Sequence, residues 1–216
     1  MLNCVMQFDA IRNELGGLVS IQAGFPFRGT IDVLAAGSVL AVQMKDLDAQ
    51  RGIDWTGVIR TELPGRKSPD WLQPGDVLFV SRGTRFYAVC VDTPPGLAVC
   101  GPHFFHLRVK PSADLLPAFL AWQINQPPFQ RQLWQGAEGS SQLSIRRPVL
   151  EALRFSLPAL PDQQRIVALA GLARQERQAL HQLIRNRELQ LEALAENLAS
   201  KTILTPVPSA QKAIKK

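Results

Sequence analysis

The chain has 216 residues, 46% of them hydrophobic and 19% charged, with a formal net charge of +6. That is enough apolar material for one core of ordinary size plus an appendage, and no apolar run approaches the ~20 residues a membrane span needs. The opening segment, MLNCVMQFDAIRNEL, lacks the basic start, apolar stretch and small-residue cleavage site of a secretory signal, so the expected compartment is the cytoplasm.

Charge is distributed unevenly. Residues 1–160 carry 15 basic and 13 acidic side chains, whereas residues 161–216 carry nine and five. A polyanion would therefore be bound by local placement of arginines in the first segment rather than by its bulk charge. Cys4, Cys90 and Cys100 are odd in number and widely spaced. His103 and His106 lie near Cys100, but no second pair completes a metal-ligand spacing, so no metal and no cofactor are expected.

From Val19 to about Val109 the chain reads as short strands cut by turns. Val39–Met44, Val77–Val80, Tyr87–Val91 and Phe104–Val109 are rich in β-branched or aromatic residues and bounded by Gly, Pro or Asp. Turn signals recur at Gly24–Pro26, Pro64-Gly65, Pro74-Gly75-Asp76, Pro94-Pro95-Gly96 and Gly101-Pro102. The period then changes: Leu115, Leu116, Phe119, Leu120, Trp122 and Ile124 place apolar groups at helical spacing over Asp114–Asn125, and Pro127-Pro128 stops that helix. Phe129–Trp134 reads as a second helix, Pro148–Leu153 as a helical turn, and the segment RFSLPAL as a strand.

Pro161 and Asp162 mark a helix start, with proline suited to the first turn and an acid suited to the positive end of the dipole. Only Gly171 interrupts the helical text before Ser200, which predicts about 58 Å of helix at 1.5 Å per residue. Ile166, Leu169, Ala173, Leu180 and Leu183 fall on one seam, which a four-residue shift continues through Ile184, Leu191, Leu194 and Leu198. Glu176 and Arg187 interrupt it. A helix of this length calls for another helix, and a homodimer is the expectation. Lys201–Lys216 mixes Pro, Ser, Thr, Ala and Lys and reads as a disordered basic tail. The predicted architecture is α+β: a twisted, partly closed β-sheet domain over 1–160 with a few short helices, one long coiled-coil-forming helix over 161–200, and the tail over 201–216.

The usual catalytic signatures are missing. There is no glycine-rich nucleotide loop and no nucleophile elbow. Gln126-Pro127-Pro128-Phe129 only approximates a methyltransferase loop, and it follows a helix rather than a buried strand. Pro69-Asp70 has no Asp/Glu-x-Lys after it to complete a nuclease site, and Asp76 and Asp92 stand in turns where a solvated or turn-capping role is usual.

Four segments, in order, resemble the specificity subunit of type I restriction–modification systems. They are SIQAGFPFRG (Ser20–Gly29), LQPGDVLFVSRGT (Leu72–Thr84), LLPAFLAWQINQPPFQRQL (Leu115–Leu133) and the junction GSSQLSIRRPVLEALRFSLPALPDQQRIVAL (Gly139–Leu169). Asp162 stands where that family more often has Glu, and Ala159 where a second proline is common. The resemblance implies a target recognition domain and a spacer helix in a protein without catalysis of its own. Its implied partners are double-stranded DNA, methyltransferase subunits and, in restriction complexes, a motor-nuclease subunit. Family members usually carry two such domains and two helices, which reads this chain as a half-subunit that dimerises to read a bipartite palindrome. Two other readings compete: a stand-alone DNA-binding regulator, and a helix-mediated scaffold that no longer reads DNA.

Base edges are best reached by Arg, Lys, Asn, Gln and Ser, while phosphate contacts set register. The candidate DNA contacts are Arg28, Lys45, Arg60, Arg66, Lys67, Arg82, Thr84, Arg85, Ser140, Ser141, Gln142, Arg146 and Arg147. Each competes with an ordinary solvated role, and Gln142 also with a backbone-bracing one. Among the aromatics, Trp122 is expected in the core. Trp55, Trp71 and Trp134 are weighed for stacking, and Phe25 and Phe27 are expected to be the more exposed rings.

Overall fold

The computed structural model describes residues 11–65, 68–140 and 142–203. The chain divides into two units between Ala170 and Gly171.

The first unit is built on β7 (Val77–Val80) and β10 (Phe104–Val109), paired antiparallel at the centre of a four-stranded sheet. β2 (Val19–Ala23) and β8 (Ala88–Cys90) close its two edges. VLFV is apolar throughout because both faces of β7 are covered, the condition under which a strand loses its alternation. Val77 and Phe79 face one core with Leu107, Phe119, Leu120, Ile124, Phe129, Leu133 and Phe155. Leu78 and Val80 face a second, with Leu40, Val42, Val89, Ala98 and Phe104.

α1 (Leu15–Leu18), α2 (Pro117–Ile124), α3 (Pro127–Gln135) and α4 (Arg147–Glu151) contribute to the first core. The second core is covered by a three-stranded sheet, β6 (Ile59–Thr61), β3 (Val39–Val42) and β9 (Ala98–Cys100), in which β3 runs antiparallel to β6 and parallel to β9. Two further pairs complete the unit: β4 (Leu47–Asp48) with β5 (Gly52–Ile53), and β1 (Ile11–Glu14) with β11 (Arg154–Leu157). The described strands thus form four hydrogen-bonded sheets instead of a single one. The class is α+β with one long helix, as expected.

Pro127-Pro128 ends α2 and also begins α3, because proline is tolerated in a first turn, where the N–H has no intrahelical partner. β1 was not expected from the sequence. IRNE is too short and polar to read as a strand, and its partner β11 lies about 140 residues away.

α5 (Leu160–Ile203) is 44 residues long, roughly 66 Å at 1.5 Å per residue. It continues past Ser200, where the tail was expected to begin; residues 204–216 lie outside the described part. Its first turns belong to the first unit, where Ile166 and Val167 pack on the core. From Arg165 to Ala170 the helix alternates between covered and open positions, and from Leu172 to Ser200 every residue is exposed.

Candidate nucleic-acid interface

The loop after β7 begins at Ser81, which is buried and donates its hydroxyl to the His103 carbonyl (2.9 Å). Beyond it, Arg82, Thr84 and Arg85 are exposed. Gly83 has φ of +123°, which is why a glycine stands between them. A second loop, between α3 and α4, folds against the first. The Gly83 N–H donates to Leu143 O (3.0 Å), and the Ile145 N–H donates to Ser81 O (2.8 Å). Within that loop Glu138 and Ser144 exchange backbone bonds of 3.0 and 2.8 Å. Gly139 turns it at φ +121°, where a β-carbon would collide with the Gln142 carbonyl oxygen.

These bonds make one platform of residues that sit more than fifty positions apart in sequence. Arg82, Thr84, Arg85, Ser140, Gln142 and Arg146 are all exposed on it, and Arg147 follows at the start of α4. Among the described residues, two of these four arginines are paired with glutamates. Glu138 pairs with Arg146 (2.7 Å) and Glu151 with Arg147 (2.7 Å), all four at least one-third exposed. Such exposed pairs are weak and can be exchanged for phosphate contacts. Gln142 makes no side-chain bond among the described residues that would brace the backbone.

The other candidates stand elsewhere. Arg28 follows the Gly24–Phe27 turn, Lys45 lies in the short 3-10 turn Met44–Asp46 after β3, and Arg60 lies on β6 with Nη1 3.4 Å from Gly37 O. All three are exposed and belong to loops or strands around the three-stranded sheet rather than to the loop platform. Arg66, Lys67 and Ser141 lie outside the described residues, as does Cys4.

Several aromatic expectations need correction. Phe25 is buried, because its N–H bonds Cys100 O (2.7 Å) and its ring packs against Phe27. Trp55 is committed to Asp92, which accepts its indole N–H at 2.7 Å. Trp134 is exposed but already packed on Phe86, with ring centroids 5.1 Å apart. Trp122 stacks on Phe119 at the edge of the first core, as expected.

Asp76 is 2% exposed rather than solvated. It accepts the Gln73 N–H, the turn-capping role expected of it. It also receives Arg108 Nε and Nη2, each at 2.7 Å, and lies 2.7 Å from His106 Nε2. Burial alone would raise its pKa, but the hydrogen bonds from His106, Arg108 and Gln73 hold it down to about 2. Arg108 Nη2 also donates to Trp71 O (3.0 Å), so the cluster ties the turn before β7 to β10. Gln126 is the residue before α3, and Phe129 is buried in the first core. Burial pushes the Cys90 thiol up to about 11 and that of Cys100 up to about 12. No group of three or more metal-ligating side chains occurs among the described residues.

Gln163 went unnoticed in the sequence although it sits inside the junction segment. It is completely buried at the start of α5. Its Oε1 accepts the Leu116 N–H (2.8 Å), and its Nε2 donates to Asp114 O (2.7 Å) and Pro158 O (2.8 Å). One amide therefore joins the start of α5 to the segment before α2. The sequence signal that could have found it was its place in the junction motif, where a glutamine directly follows the first helical acid.

No protein-family model matches the chain, and no curated protein matches it in sequence. Solved structures do match in fold. The S subunit of a type I restriction-modification system from M. genitalium aligns at TM-score 0.57 and 16% identity, over 88% of this chain and 46% of that one. The HsdS subunit from Thermoanaerobacter tengcongensis aligns at 0.61 and 18%, over 89% and 44%. A structure describing complex assembly of the type I R-M system aligns at 0.67 and 18%, over 93% and 47%. The chain has the fold of a type I specificity subunit, and it spans under half the length of each of these structures. No described helix is long and apolar enough to cross a membrane.

Proposed function

We propose that this chain is a non-catalytic, sequence-specific DNA-recognition subunit of the type I restriction–modification kind. Its first unit reads a short stretch of duplex. α5 serves assembly, both with a second copy and with methyltransferase subunits; a motor-nuclease subunit joins where the complex also restricts. The observation that carries this reading is the loop platform beside β7. It presents four arginines and several polar side chains on loops that are hydrogen-bonded together beside a buried strand, within the fold of specificity subunits. Arginine, serine and glutamine are the donors and acceptors suited to base edges, and exposed arginines also neutralise phosphates.

The test is selection of bound duplexes from a random pool, followed by sequencing. One short motif should be enriched, and apparent affinity should fall steeply with salt. Arg82→Ala and Arg146→Ala should each weaken binding, and a base-reading arginine should also relax preference at one position, by ~1–3 kcal/mol. A pool that emerges without any enriched motif, with affinity unmoved by both substitutions, would overturn the assignment. Methyl incorporation or cleavage by the purified chain with S-adenosylmethionine and Mg²⁺ would overturn its non-catalytic part.

A further inference from the structure

Glu138 sets a negative charge on the platform whose arginines suit an anionic duplex, and the backbone fixes its place there. Ser144 stands opposite Glu138 on one side and opposite Arg82 on the other, both antiparallel, so three chain segments meet edge to edge. Residues opposed in this way point to the same face, and so does the residue two along. Arg82, Ser144, Glu138 and Arg146 therefore share the outer face. Their neighbours turn inward: Ser81 and Ile145 are buried, and Ala137 and Leu143 pack on the first core. Arg146 Nη2 lies 2.7 Å from Glu138 Oε2, and the two side chains are 70% and 51% exposed. Among the described residues, Arg146 Nε and Nη1 and Glu138 Oε1 have no protein partner, so both groups keep an edge open to a ligand.

An arginine held in this way is poorly placed to take a phosphate, which would bring a second anion against the carboxylate beside it. It is well placed for a base edge. In the major groove a G·C pair presents two acceptors, guanine N7 and O6, beside one donor, cytosine N4–H. An arginine beside a carboxylate presents the complement, donors next to an acceptor. Against an A·T pair the same carboxylate would face thymine O4, another acceptor. We propose that Arg146 and Glu138 together read one G·C base pair in the major groove, the guanidinium donating to guanine and the carboxylate accepting from the paired cytosine. This rests on the reading of the first unit as a duplex reader and adds which base pair it reads there. Glu138 acts twice, by contacting cytosine and by orienting Arg146. Arg147 differs, because its partner Glu151 lies four residues along α4, an ordinary pair on a helix surface.

The experiment uses the full chain and the motif that duplex selection enriches. That motif should contain a G·C pair whose preference falls about tenfold or more in both Arg146→Ala and Glu138→Ala, at the same position and at no other. The double substitution should relax that position no further than either single one. Glu138→Ala should bind unrelated duplexes at least as tightly as wild type, since it removes a negative charge, and its circular dichroism should be unchanged, since an exposed pair adds little stability. On the wild-type chain, replacing that guanine by a deazaguanine lacking N7 should weaken binding several-fold, whereas inosine, which keeps N7 and O6, should not. The deazaguanine should leave Arg146→Ala binding unmoved. The inference is overturned if Glu138→Ala raises affinity for every duplex with the motif intact, which would make the acid a charge shield. It is equally overturned if the two single substitutions relax different positions, if the motif holds no G·C pair, or if wild type tolerates the deazaguanine. Each of those results leaves DNA reading standing. A wild-type chain that enriches no motif overturns DNA reading itself, and this inference with it.

Discussion

Replacing Asp76 by asparagine removes the charge from a buried ion cluster inside the first unit and keeps its shape. In the wild type a 2% exposed carboxylate holds Arg108 by two bonds of 2.7 Å, His106 at 2.7 Å and the Gln73 N–H at 2.8 Å. A carboxyl whose pKa falls from 3.8 to about 2 on folding stabilises the folded state by about 2 kcal/mol once the pH is well above 3.8. The Asp76→Asn variant would forfeit that contribution and leave the Arg108 guanidinium without its counter-charge. The arginine side chain is 41% exposed and keeps some water, so the expected cost is about 3 kcal/mol, near the lower end for breaking a buried pair. For a unit of this size that lowers the melting temperature by about 10 °C.

The pH dependence gives the finer check. Because the folded pKa is depressed, this stabilisation is complete above the unfolded value of 3.8 and disappears as pH falls through about 2. The gap between wild type and Asp76→Asn, measured by urea unfolding followed by circular dichroism, should hold steady above about pH 5 and narrow between about pH 4 and pH 2. A variant melting within about 2 °C of wild type, or a gap that does not change with acid, would refute the reasoning.

Gln163→Leu should cost about 3 kcal/mol, since it strands one buried N–H and two carbonyls while adding no volume the site can use; a loss under about 1 kcal/mol in urea unfolding would show that water replaces the amide. Gly139→Ala should leave the melting temperature within a few degrees but weaken duplex binding, because the strain at φ +121° falls on the exposed loop and not on the core; unchanged affinity would remove that loop from the interface. Arg147→Ala should change stability by less than about 0.5 kcal/mol, its pair with Glu151 being surface-exposed, while lowering the salt slope of duplex binding by about one; an unchanged slope would mean it touches no phosphate.

What the sequence determined by itself was local or periodic. Val77–Val80 and Phe104–Val109 were legible as strands to the residue, since β-branched and aromatic runs between turn signals depend on nothing distant. The α5 helix was legible from its proline–acid start and its repeat. Only the tertiary structure decided what each polar residue does. Asp76 reads as a turn acid until β10 brings Arg108 and His106 to it from about thirty residues away, and Gln163 reads as one more surface glutamine until the segment before α2 closes over it. Ile166 belongs to the helical seam in sequence, yet packs on the core of the first unit, because the start of α5 is tied down there. The arginine platform exists only because Ser81 and Gly83 bond Ile145 and Leu143 across some sixty residues. Hydrogen bonds between distant backbone segments leave no period in the sequence, so nothing in the chain's text marks which arginines they will gather.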